Sequence, residues 1–154
     1  MKLYKIKKSN IDNKGLYAVK NIKSGKIIIN YKGKIITKKE TDTNTKYDND
    51  KAIYLFNLNS RYDLDGDFEY NTARLINHSC DPNCEVNGKG LKLWIFALRD
   101  IKKGEELSYD YGFGYDKDYK QFVCKCGTKN CVGYIVREGS RWRIKKSKSA
   151  SVSR

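Results

Sequence analysis

Three of the five cysteines fall in one short run, Cys124-Lys125-Cys126-Gly127-Thr128-Lys129-Asn130-Cys131, a C-x-C-x4-C pattern. Three thiols this close, with Gly, Thr and Asn between them, read as a metal knuckle, because tetrahedral zinc is readily held by thiolates. A fourth ligand is needed, and the candidates stand together far upstream. Residues 74–84, RLINHSCDPNC, hold Cys80, Cys84 and His78, the single histidine, beside the single proline, Pro82. A metal would therefore clip two distant segments together, and that limits the folds open to the chain. The competing readings are buried, unligated cysteines and a Cys80–His78 nucleophile pair. The pair has no evident third residue to orient it.

At 154 residues the chain makes one domain with a modest core, which a structural metal would help at this size. A hydrophobic content of 39% with 12 tyrosines, 12 glycines and one proline suits a compact, turn-rich, mainly β protein. No apolar run approaches the ~18–20 residues that span a bilayer. Lys2, Lys5, Lys7 and Lys8 interrupt any signal-peptide pattern. An intracellular protein without membrane contact is expected, in the cytoplasm or, in a eukaryotic setting, the nucleus, and a monomer.

The net charge of +14 is unevenly spread. Residues 1–40 carry 12 cations against 2 acids, and 121–154 carry 9 against 1. Residues 41–85 reverse this, with 4 cations against 9 acids. The basic ends favour contact with nucleic acid or simple solubility. The acidic middle favours a basic partner.

Short strands with glycine turns are expected at residues 3–6, 16–19, 27–31 and 35–36. Residues 38–49 predict a short helix or ordered loop. Residues 52–58 (AIYLFNL) read as a buried strand, Asp63–Asp67 as a turn, 70–76 as one or two helical turns, and 91–98 and 106–111 as strands. Residues 19–25 (VKNIKSG) resemble 98–104 (LRDIKKG), which we take as shared turn chemistry. The tail from residue 145 is basic and serine-rich and is expected to be disordered.

Residues 77–83 (NHSCDPN), 105–111 (EELSYDY) and the C-x-C-x4-C run, in that order, resemble the SET-domain protein-lysine methyltransferases with a post-SET zinc segment. The likeness begins near Lys14-Gly15-Leu16-Tyr17-Ala18 and ends near Cys131. Residues 54–58 resemble the family's central strand. The resemblance implies a SET fold: mainly β, several small curved sheets, short helices and a pseudoknot formed by the C-terminal part. It implies a SET domain at 1–115, a post-SET segment at 116–140, and a basic tail at 141–154.

It also implies S-adenosylmethionine (SAM) as methyl donor and a structural Zn2+. By position, Lys14, Gly15 and Leu16 approach SAM through their backbone, and Tyr54, Asn77 and His78 line its pocket. Tyr111 is the catalytic-site tyrosine, and Tyr109 sets methylation number, favouring mono-methylation. Cys80 joins Cys124, Cys126 and Cys131 on zinc, leaving Cys84 free. The acids Asp48, Asp50, Asp63, Asp65, Asp67 and Glu69 lie where the family builds its peptide groove, and Trp142 is expected over the mouth of the site. The implied substrate is a lysine-bearing basic segment of a histone-like, ribosomal or other protein. Two departures stand out. The family's Gly-x-Gly loop is Asn13-Lys14-Gly15 here, and Asn tolerates positive φ next best. A stretch often read Glu-Tyr-x-Gly-Glu is Asn30-Tyr31-Lys32-Gly33-Lys34, without its acids. The rival function is a catalytically silent, zinc-stapled module that binds nucleic acid or protein.

Overall fold

The computed structural model describes residues 2–48 and 54–144. The expectations for Asp50, for the start of the 52–58 strand and for the tail beyond 144 lie outside the described residues.

Among the described residues, ten short strands form four small sheets. Strands β1 (Tyr4–Lys8) and β2 (Lys14–Ala18) make an antiparallel hairpin, with Tyr4 opposite Ala18. A second sheet has the order β3-β9-β8, from Ile27–Tyr31, Lys92–Ala97 and Cys84–Lys89. A third has the order β4-β6-β5, from Lys34–Thr37, Tyr62–Asp65 and Leu55–Asn57. The fourth pairs β7 (Asn77–His78) with β10 (Ser108–Tyr109) in parallel. A short helix, α1 (Lys38–Thr43), starts at Thr37, whose hydroxyl accepts the Glu40 amide.

Period-two patterning places the core. Along β9, Leu93, Ile95 and Ala97 are buried, while Trp94 and Phe96 are only half-buried on the other face. Leu16, Ile76, Ile95, Ile101 and Leu107 are fully buried in one cluster. Two strands were not legible beforehand. β8 carries little apolar signal (CEVNGK), and it forms because β9 offers a full antiparallel partner. β6 was expected as a turn. Instead, Tyr62–Asp65 is the central strand of its sheet, and the chain turns only at Gly66. The 52–58 strand, as far as it is described, is half-exposed rather than buried. Of the expected 106–111 strand, only Ser108–Tyr109 pairs regularly.

The chain interlocks near its C-terminal third. Tyr17 bridges to Glu106, and the Leu107 amide donates to the Leu16 carbonyl at 2.7 Å. One residue further on, Ser108 and Tyr109 pair with Asn77 and His78. The segment 105–109 thus runs between β2 and β7. Buried Asn83 holds it there, donating from Nδ2 to the Glu106 carbonyl (2.9 Å) and accepting the Ser108 amide on Oδ1 (2.9 Å). This is the interlock that places residues 77–80 and 108–111 side by side.

Candidate active site

A cleft of about 680 Å3 opens where separate stretches meet: the loop 11–14, Tyr54, residues within 74–78, Tyr111, residues 121–125 and Ile135. Of the residues singled out from sequence, Lys14, Tyr54, Asn77, His78 and Tyr111 line it. Gly15 and Leu16 do not. Leu16 faces the core with no exposed surface. Gly15 lies against the Glu106 carboxylate, where a Cβ would collide with Oε2. Its lack of a side chain lets the loop approach. Asn13 has φ +45°, the one non-glycine positive φ among the described residues, as expected of an Asn in the first glycine's place.

Glu106 is the anchor under this wall, and sequence reasoning gave it no role. Its Oε2 accepts the Ser9 hydroxyl (2.6 Å) and Asn77 Nδ2 (3.1 Å), and its Oε1 accepts the Tyr17 hydroxyl (3.0 Å). Asn77 Nδ2 also lies 2.9 Å from Ser9 Oγ and 3.0 and 3.2 Å from the carbonyls of Asp12 and Lys14. The amide nitrogen is therefore committed to the loop, and its orientation follows. The other lining residues missed from sequence include Asp12, Arg74, Phe122 and Lys125. They become neighbours only through the fold, and no local motif marks them.

His78 is buried between the cleft and the cysteines. Its Nδ1 accepts the Tyr111 amide at 3.0 Å, which assigns the proton to Nε2, and Nε2 faces Cys80 Sγ at 3.9 Å. Tyr111 donates its hydroxyl to the Ile76 carbonyl at 2.7 Å. Burial first, then the nearby acids and tyrosines, push the Tyr111 phenol well above its ordinary range. Tyr109 is fully buried, with its pKa raised by the same desolvation, and its ring centroid is 4.8 Å from that of Tyr111. Phe56 and Tyr31 continue this aromatic layer. Tyr111 also lines a second cleft of about 510 Å3, with Phe56, Asn57, Leu58, Val86, Asn87 and Asp110 among others. No other described residue lines both.

The thiols of Cys80, Cys124, Cys126 and Cys131 lie within 4.8 Å of one another, with Cys80 and Cys124 sulfurs 3.9 Å apart. A tetrahedral ion with Zn–S bonds of about 2.3 Å needs sulfurs about 3.8 Å apart, so the four fit zinc. Amides of Cys126 and Gly133 point at the Cys124 and Cys131 sulfurs (3.5 and 3.4 Å), as thiolates require. Among the sulfurs, the hydrogen bond from the Cys124 thiol holds the Cys80 thiol well below its ordinary pKa, and the shared proton pushes Cys124 up. Of the three candidates for fourth ligand, Cys80 is the one in place. Cys84 is buried apart from the cluster and donates to Asn83 Oδ1. Residues 121–125 reach the cleft because this cluster ties them to Cys80.

Residues 13–112 match the sequence profile of the SET domain family. The chain belongs to that family. Over 134 residues, 83% of its length, this SET domain is 40% identical to "Histone-lysine N-methyltransferase trithorax" of Drosophila virilis, of which it covers 3%. It is 39% identical over 140 residues to "Putative histone-lysine N-methyltransferase 1" of Plasmodium falciparum (isolate 3D7), covering 86% of this chain and 2% of the relative. "Histone-lysine N-methyltransferase 2B" of Homo sapiens is 39% identical over 134 residues, 83% of this chain and 5% of that one. The chain thus spans a small fraction of the length of these relatives. Among the described residues, no helix is long and apolar enough to cross a membrane.

Two expectations about the surroundings of the site are corrected. Asp63 and Asp65 are only 4% and 2% exposed and do not present charge to a groove. Lys38 is paired with Asp63, and Lys46 with Asp65 at 2.7 Å, because β6 is a central strand and its acids must be neutralised to be buried. Asp48, Asp67 and Glu69 remain exposed. Trp142 lines neither cleft and is 58% exposed. Its neighbour Arg141 is the buried one, donating to Asp110 (2.8 Å) and to the Cys80 carbonyl (2.8 Å).

Proposed function

We propose that this SET domain transfers a methyl group from SAM to the side-chain amine of a lysine in a protein substrate. One observation carries the reading: Tyr111 lines both clefts, and no other described residue does. A donor in one cleft and a lysine reaching in from the other would meet beside its hydroxyl. The larger cleft is in the usual size range for a small-molecule site, and its aromatic, amide and backbone polar groups suit an adenosine and an amino-acid head. SAM, when bound, supplies an electrophilic methyl on a sulfonium.

The chain's own residues align, dehydrate and exclude. The loop 12–14, Tyr54, Asn77 and His78 hold the donor, with Gly15, Leu16 and Glu106 fixing the loop from behind. The Tyr31, Phe56, Tyr109 and Tyr111 layer walls off water, which favours the neutral amine over the ammonium. Neither buried phenol is poised to take a proton, since burial raises both pKa values. Catalysis on this scheme is alignment behind the methyl. Tyr111, fixed by its bond to the Ile76 carbonyl, orients the amine.

The smaller cleft, between β5 and β8, is the proposed peptide groove. Its one acid, Asp110, is already bonded to Arg141. Recognition then rests on shape and backbone bonding, with Asp48, Asp67 and Glu69 attracting a basic segment from further out. The words histone-lysine in the relatives' names support a histone or histone-like substrate and a nuclear setting. Four cysteines hold the structural zinc that keeps residues 121–125 in the wall.

The test is radiolabelled methyl transfer to core histones and to a lysate of the source cell, beside calorimetric titration with SAM. The expected result is SAM binding by wild type and by Tyr111→Phe, with transfer lowered at least a hundredfold in the variant. Absence of SAM binding by the zinc-loaded protein would overturn the reading and leave the silent module.

A further inference from the structure

The two similar stretches, residues 19–25 and 98–104, face each other across a local two-fold. Ile22 and Ile101 exchange both backbone hydrogen bonds at 2.8 Å. Around this pair the contacts repeat reciprocally. The Gly25 amide donates to the Ala97 carbonyl (2.8 Å) and the Gly104 amide to the Ala18 carbonyl (2.9 Å). Asp100 Oδ1 accepts the Ser24 amide and Asn21 Oδ1 accepts the Lys103 amide, each at 2.9 Å. Two tight turns are thereby locked side by side. Gly25 and Gly104 adopt matching positive φ values of 85° and 93°.

These turns carry Lys20, Lys23, Lys26, Arg99, Lys102 and Lys103, all exposed. The acids of the same stretches are Asp100 and Glu105, and each is engaged locally: Asp100 with Lys23 (3.7 Å), Glu105 with Arg99 (3.1 Å). A net positive ridge remains. Beside it lies a cleft of about 580 Å3 lined by Leu3, Lys20, Asn21, Lys23, Lys26 and Ile27. The Val19 amide donates to the Leu3 carbonyl at 2.9 Å, which brings Lys2 alongside. Neither the donor cleft nor the peptide groove shares a residue with this face.

We propose that the paired turns 19–26 and 98–105 form a docking ridge for the phosphate backbone of duplex DNA. Neither turn contains an aromatic residue. There is no stacking platform for unpaired bases and no aromatic anchor of the kind that dominates protein interfaces. What the ridge offers is flexible ammonium groups on a rigid backbone, chemistry that reads repeating phosphates without sequence. The ridge would hold duplex against the protein while the separate groove takes a peptide. This goes beyond the methyl-transfer reading and does not depend on it.

The experiment is fluorescence anisotropy with the zinc-loaded full chain and a 25-base-pair duplex of arbitrary sequence, across a sodium chloride series. With about four phosphates neutralised, log K should fall against log salt with a slope of about −3.6. A variant with Lys23, Lys26, Lys102 and Lys103 changed to Gln should bind at least tenfold more weakly, with a slope near zero. Its methyl transfer to a short peptide should equal wild type. A control with Lys32, Lys34, Lys89 and Lys92 changed to Gln has the same net charge and should keep at least half of the wild-type slope. Equal losses in both variants would mean net charge alone is at work and would overturn the ridge. Tighter binding to single-stranded DNA, or binding only to phosphatidylserine vesicles, would overturn it as well.

Discussion

Asn13 holds a backbone conformation that most side chains avoid, at φ +45°. It can do so because an Asn side chain is short enough to tolerate the left-handed region. That role is readable from the residue type and its spacing to Gly15. The role of Glu106 is not readable, because its three donors come from Ser9, Tyr17 and Asn77, far away in sequence. Tyr109 lies between these cases. Its position two residues before Tyr111 suggests a layer on one strand face, and the rings do lie 4.8 Å apart. On the proposed methyl-transfer reading, a hydroxyl in that layer would leave less room for a second methyl. Tyr109→Phe should shift products from mono- to di-methyl-lysine, read by mass spectrometry on a defined peptide, at a first-step rate within about threefold of wild type. An unchanged product ratio would remove Tyr109 from the control of methylation number.

At the scale of elements, two attachments matter, one at the wall of the larger cleft and one away from both clefts. The cysteine cluster is one. Chelating the metal at pH 8 should free residues 121–125 from Cys80, weaken SAM binding at least tenfold, and expose four thiols to a disulfide reagent. Cys84 should stay unreactive until the protein unfolds, because burial pushes its thiol up to about 12 and leaves almost no thiolate. The second attachment is α1 and the turn after it, held on β6 by Lys38–Asp63 and Lys46–Asp65. Burial pushes the Asp65 carboxyl up, but Lys46, the Asp67 amide and Tyr47 outweigh that and hold it below the usual value. A carboxylate depressed in the folded state stabilises it above the unfolded pKa of about 4. That contribution is lost as pH falls through the lower folded value. Wild type should therefore lose stability relative to Asp65→Asn as pH falls below about 4, measured by denaturant unfolding. Parallel curves for the two proteins would show that the pair contributes nothing.

For the whole molecule, the decisive feature is the passage of residues 105–109 between β2 and β7. Asn83 pins it by pairing one carbonyl and one amide of that segment. Asn83→Ala should leave both unpaired and cost about 2–4 kcal/mol, seen as a lower denaturant midpoint in the zinc-loaded protein. A shift under about 0.5 kcal/mol would mean that water replaces the side chain without penalty. Much of the lining of the candidate site was legible in the order of the residues: Asn13, Asn77, His78 and Tyr111 share one cleft, and Cys80 joins the knuckle cysteines. Those signals are local, because a ligand set, a turn or an alternating strand needs only near neighbours. The tertiary structure alone decided that Asp63 and Asp65 are buried and paired, that Arg141 rather than Trp142 is built into the site, and that two lysine-rich turns become one ridge. Each depends on groups from distant segments meeting inside a low-dielectric core or across a long-range backbone bridge, and no spacing along the chain encodes such a meeting.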